Sequence, residues 1–96
     1  MLNIDKGISL IKFSATWCGP CKQAEVTIKK VLPEFLGINF RDIDVDDNPV
    51  LAKEYKIRSL PTVIVFKNGE EVTRVGSIKA EDLRKILKEV TAEQAA

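Results

Sequence analysis

The chain contains no histidine, and among its 96 residues there are only two cysteines, one tryptophan and one tyrosine. Without histidine there is no Cys-His or Ser-His catalytic pair, and the commonest zinc ligand is missing as well. Two cysteines alone do not complete a tetrahedral zinc site. No block of like charge is present. Fifteen basic and fourteen acidic side chains leave a net charge of +1, which argues against a polyanion partner such as nucleic acid. No apolar run approaches the roughly 20 residues that span a bilayer. Met1–Gly7 has neither an apolar signal core nor a cleavage site, so the expectation is a soluble, unexported, cytoplasmic protein. Repeats, low-complexity stretches and linkers are also lacking. A hydrophobic fraction of 45% is ordinary for a globular chain, and the length suits one domain over 1–96.

What is present is an alternation of strand and helix signals. Gly7–Phe13 is mostly apolar on both faces, as in a strand covered from both sides. From Cys18 onward Ala24, Ile28, Val31, Leu32 and Phe35 recur at helical spacing, and Pro33 should end or kink that helix. Ile38–Asp44 reads as a second strand. Asp47 or Asn48 should then cap a short helix that starts at Pro49 and runs to about Tyr55. Thr62–Phe66 is rich in β-branched residues. Asn68-Gly69 forms a hairpin turn, and Glu71–Val75 returns as the partner strand. Leu83, Ile86, Leu87 and Val90 mark a closing amphipathic helix, with fraying expected from Thr91 to Ala96. The order is β-α-β-α-β-β-α, an α/β fold with a four-stranded mixed sheet.

The chemistry concentrates in Trp17-Cys18-Gly19-Pro20-Cys21, where a strand hands over to a helix. Cysteines three apart in a first helical turn lie within disulfide reach, roughly 4.4–6.8 Å between Cα atoms. A disulfide closing so small a loop removes little unfolded-state entropy, so reactivity is the better reason for the pair. Cys18 stands at the helix N-terminus, where unpaired N–H groups and the macrodipole favour a thiolate. Pro20 is tolerated there because its missing N–H would have had no helical partner. Cys21, one turn in, should be more buried and a thiol at rest. Thiolate attack by Cys18 on a substrate disulfide, followed by resolution by Cys21, is the mechanism this asymmetry suggests.

Phe13-Ser14-Ala15-Thr16-Trp17-Cys18-Gly19-Pro20-Cys21-Lys22 closely resembles the active-site segment of the thioredoxin family. Ile57-Arg58-Ser59-Leu60-Pro61-Thr62 resembles its cis-proline loop, and Phe66-Lys67-Asn68-Gly69 and Val75-Gly76 resemble its later strand and groove signatures. The likeness runs from about Ile8 to Val90. It implies a protein-disulfide reductase and electron carrier with no bound cofactor or metal beyond a redox-active Cys18–Cys21 disulfide. It also implies recharging by an NADPH-dependent thioredoxin reductase, and disulfide-containing client proteins. The Leu60–Pro61 bond should be cis, with Trp17, Gly19, Pro20, Val45, Leu60, Val75 and Gly76 forming the substrate contact surface. Two alternatives stand beside this reading: a redox-independent binding module, and a glutaredoxin-like protein served by glutathione.

Three departures from the family pattern are visible. The family's buried aspartate falls at Lys12 and its partner lysine at Asp42. A swapped ion pair behind Cys21 is therefore expected, with Asp42 as proton acceptor; the alternative is a Lys12 that reaches out to solvent. Only about seven residues precede the first strand, too few for the family's additional strand and helix. The strand Ile38–Asp44 then becomes a sheet edge. A monomer is expected, with weak dimerisation through that edge as the alternative. Finally, the family's helix-kinking proline falls near Val26. Trp17 is expected at the surface and Tyr55 in packing. Asp44, Asp46 and Asp47 are expected to face solvent and cap the next helix rather than bind metal.

Overall fold

The computed structural model describes residues 2–95, with side chains described through residue 92. Its elements are β1 (Ile8–Ser14), α1 (Gly19–Val31), a 3-10 turn (Leu32–Glu34), β2 (Asn39–Asp44), α2 (Pro49–Glu54), β3 (Thr62–Lys67), β4 (Glu70–Val75) and α3 (Ala80–Ala95). The sheet order is β2-β1-β3-β4. β1 runs parallel to β2, with Lys12 beside Asp42, and antiparallel to β3; β3 and β4 form a hairpin.

Strand alternation divides the apolar residues between the two faces of the sheet. On one face Ile8 and Leu10 of β1 and Val63 and Val65 of β3 pack with Ile28 and Val31 of α1 and with Leu83, Leu87 and Val90 of α3. On the other, Ile11, Phe13, Ile43, Ile64 and Phe66 are covered by Ile4, Leu51, Tyr55 and Ile57. Because both central strands are covered on both sides, every residue of β1 is buried. Leu87 is fully buried between α3 and the sheet. Leu87→Ala should cost about 2–5 kcal/mol of unfolding free energy in a denaturant titration.

Most boundaries follow from single residues. At Asn68 and Gly69 φ is 51° and 89°, the left-handed pair that a two-residue hairpin needs. Pro33 cannot donate to the α-helical ladder, and α1 gives way there to the 3-10 turn. Val26 lies exposed on the outer face of α1.

One expectation needs correction. Asn48 holds the N-cap position of α2, but its side chain accepts no capping bond. Instead Asn48 Nδ2 donates to Asp44 O, while Asp44 Oδ1 accepts the backbone N–H groups of Asp46 and Asp47. The Asp44 carboxylate, four residues before the cap, organises the turn, as Asp commonly does. α3 continues to Ala95, and Thr91 Oγ1 donates back to Leu87 O. Ala96 lies outside the described residues.

Arg84 of α3 forks onto Glu34 through bonds of 2.7 and 2.8 Å, tying α3 to the 3-10 turn. The guanidinium holds the Glu34 carboxyl below its usual range. This contribution is in full force above the ordinary carboxylate pKa and is lost as pH falls through the lowered folded value. Since both groups are exposed, the effect is small and salt-sensitive. Thermal melts of wild type and Arg84→Gln should differ slightly at neutral pH and converge in acid. Among the described residues, no helix is long and apolar enough to cross a membrane.

Candidate active site

The site forms where three loops meet beyond the ends of β1, β2 and the α2–β3 connection. Val45 N–H donates to Ser14 O at 2.9 Å, so the chains leaving β1 and β2 stay side by side. Cys18 occupies the N-cap of α1 in extended conformation, and its Sγ accepts the Cys21 N–H at 3.2 Å. Pro20 sits in the first turn, which carries no acidic residue. No carboxylate within that turn offsets the positive end of the helix.

Cys18 and Cys21 are joined as a disulfide with their Cα atoms 5.3 Å apart. Cys18 is 5% exposed and Cys21 2%. Cys21 is the more enclosed, as its place one turn into α1 requires, but Cys18 is also largely covered. Val45 and Leu60 pack against the pair.

The Leu60–Pro61 peptide bond is cis. Thr62 Oγ1 donates to Ser59 O at 2.7 Å, closing the loop around the proline. Between this loop, α2 and the start of α1 lies a groove of about 730 Å³. Of the expected contact residues, Trp17, Gly19, Pro20, Val45 and Leu60 line it together with Cys18. Pro61 is buried behind them. Val75 and Gly76 do not line the groove. Val75 packs toward the α1–α3 core, and Gly76 borders Pro61 O, 3.6 Å from where a Cβ would stand. Trp17 is 70% exposed and its Nε1 donates to Asp46 Oδ2 at 2.9 Å. Tyr55 packs between the Phe13 and Phe66 rings.

Sequence reasoning missed the far wall of the groove, where α2 contributes Pro49, Ala52 and Lys53 and the loop contributes Ile57, Arg58 and Ser59. The loop members stand within the quoted cis-proline segment. The α2 members carry no local signal.

Lys12 and Asp42 meet. Lys12, only 2% exposed, places Nζ 3.2 Å from Asp42 Oδ2, so it does not reach out to solvent. The Asp42 side chain remains 40% exposed. A third member was not anticipated: Ser14 Oγ donates to Asp42 Oδ1 at 2.8 Å, so both carboxylate oxygens are engaged. The signal was in the register, since Lys12 and Ser14 share a face of β1 next to Asp42 of β2. These three residues and Cys21 line one cavity of about 440 Å³ that shares no lining residue with the groove.

A cysteine pair at a helix N-terminus facing a cis-proline loop agrees with comparisons to known proteins. The sequence profile described as thioredoxin matches residues 1–89. The chain belongs to the thioredoxin family. It is 43% identical over 74 residues to a thioredoxin of Staphylococcus saprophyticus, covering 76% of this chain and 71% of that one. With a thioredoxin of Staphylococcus haemolyticus it shares 40% over 87 residues, 88% of this chain and 84% of that one. Among solved structures, a mutant thioredoxin from Halobacterium salinarum superposes with a TM-score of 0.82 at 35% identity, covering 92% of this chain and 78% of that one. Fasciola hepatica thioredoxin gives 0.80 at 30%, covering 90% and 84%. The protein is accordingly a thioredoxin-type protein-disulfide oxidoreductase, and its chemistry is dithiol–disulfide exchange.

Proposed function

We propose that this thioredoxin-family chain acts as one domain, a monomeric cytoplasmic carrier of two electrons that reduces disulfides in client proteins. The observation that carries the reading is the Cys18–Cys21 disulfide at the N-terminus of α1, across from the cis Leu60–Pro61 bond. In the reduced form the helix N-terminus holds Cys18 as thiolate. A client segment lies extended in the groove against Trp17, Pro20 and Val45 and pairs with the backbone of Leu60, where the cis bond turns the chain toward the groove. Cys18 Sγ attacks one client sulfur, the client S–S bond breaks, and the other client sulfur leaves as a thiolate and takes a proton.

Cys21 then gives up its proton toward Asp42, through solvent entering the cavity they share. Its thiolate attacks Cys18 Sγ, the mixed disulfide breaks, and the first client sulfur departs. The client ends as two thiols and the protein as the Cys18–Cys21 disulfide. An NADPH-linked flavoprotein of the thioredoxin reductase type returns the two electrons. Lys12 and Ser14 hold the Asp42 carboxylate in place for the proton, acting as positioning residues.

The test is the rate of reduction of a protein disulfide, with electrons supplied by NADPH and a thioredoxin reductase, for wild type, Cys18→Ser and Cys21→Ser. Loss of turnover in both variants supports exchange. Retention of the biological partner's function in both would point to a redox-independent binding module instead. Faster recharging by glutathione than by reductase would overturn the choice of electron donor.

A further inference from the structure

The groove beside Cys18 is apolar on its near wall, where Trp17, Pro20 and Val45 stand, and charged only on its far wall. The charged lining residues are Lys53 of α2 and Arg58 of the cis-proline loop, both positive and both exposed. Neither is ion-paired among the described residues. Asp46 accepts the Trp17 indole N–H at 2.9 Å on the near side and forms no ion pair with either cation. A client strand lying in the groove would therefore run beside two unpaired cations while its disulfide faces Cys18.

We infer that this pair makes the groove selective for client segments carrying carboxylate side chains next to the reactive disulfide. The inference rests on the exchange reading above and adds the chemical class of the preferred client. Charges at a partly solvated rim act mainly on the encounter rate, and they are screened by salt. The selectivity therefore belongs in the second-order rate constant and has a distinct ionic-strength signature. In each event the Cys18–Cys21 dithiol is oxidised to the disulfide, and the client disulfide is reduced to two thiols. The flanking carboxylates take no part in the bond changes.

The experiment uses the reduced full chain and three synthetic peptides, each with one internal disulfide, identical except that the flanking residues are Glu, Gln or Lys. Oxidation of the protein is followed under second-order conditions. At about 10 mM salt, where the screening length is about 30 Å, the Glu peptide should react about tenfold or more faster than the Lys peptide. At about 1 M salt the ratio should fall close to one. Lys53→Glu with Arg58→Glu should invert the low-salt ratio, and Lys53→Gln with Arg58→Gln should bring it near one. Equal rates for the Glu and Lys peptides at low salt would overturn the selectivity while leaving the exchange reading intact, and so would a ratio that survives charge reversal. Failure of the neutral Gln peptide to oxidise the protein would overturn the exchange reading, and the inference with it.

Discussion

Cys21→Ser is expected to complete the first exchange and stop there, leaving the client covalently attached to Cys18. A serine hydroxyl is far too weak an acid to supply the second nucleophile, while the thiolate site at the α1 N-terminus is untouched. Steady-state turnover should fall about a thousandfold or more, as when a residue that works as part of a unit is removed. Cys18→Ser should lose turnover to a similar extent but accumulate no adduct. Cys21 is the more enclosed of the two sulfurs and is poorly placed to meet a client disulfide. Non-reducing electrophoresis after mixing with a disulfide-containing client distinguishes the two. A higher-mass band that disappears on adding dithiothreitol is expected for Cys21→Ser alone. An adduct through Cys21 in the Cys18→Ser variant would reverse the assigned roles.

The second large effect is an asymmetry between Lys12 and Asp42. Lys12 is enclosed by the sheet and α1, and its charge is balanced across 3.2 Å by a carboxylate that still reaches solvent. Removing Asp42 takes from a buried ammonium the carboxylate it is bonded to, leaving only the longer-range charge of Glu25. Removing Lys12 leaves a half-exposed carboxylate with Ser14 and solvent as partners. Asp42→Asn should therefore cost about 1–3 kcal/mol, below the full cost of breaking a deeply buried pair because one partner is solvated. Lys12→Met, of similar length and without the charge, should stay within about 1 kcal/mol of wild type or exceed it. Denaturant titrations of both single variants and the double variant complete the cycle, with the double variant expected to resemble Lys12→Met. Function separates them from a purely structural role. If Asp42 accepts the Cys21 proton, Asp42→Asn should slow client release about tenfold or more and change its pH profile. Lys12→Met should slow it less. Superimposable pH–rate profiles for wild type and both variants would remove the relay.

These two sites differ in how far the sequence alone discloses them. The order of strands and helices was legible because β1 and β3 are mostly apolar runs, α1 and α3 carry a helical period, and Pro49 marks the start of α2. The reactive pair was legible because its chemistry depends on spacing within one turn. The Lys12–Asp42 meeting was anticipated from the family resemblance, and the parallel register of β1 and β2 is what brings the two residues together. Ser14 completes the cluster through the same register, which local patterning does not reveal. The far wall of the groove was least legible, because Ala52 and Lys53 come from a short helix whose approach depends on how α2 packs over Phe13 and Ile43. The cap of α2 was misplaced for a similar reason. Asp44 and Asn48 are equally suited by residue type, and loop geometry alone decides that Asp44 accepts the N–H groups.

The exposed indole directly before Cys18 has a practical consequence. Trp17 is the sole tryptophan of the chain, and it lines the groove beside Cys18 with its ring nitrogen tethered to Asp46. Any change in this chain's own tryptophan emission must therefore originate at the residue next to Cys18. The protein carries its own optical label, and each half of the catalytic cycle is open to stopped-flow observation without attaching a dye.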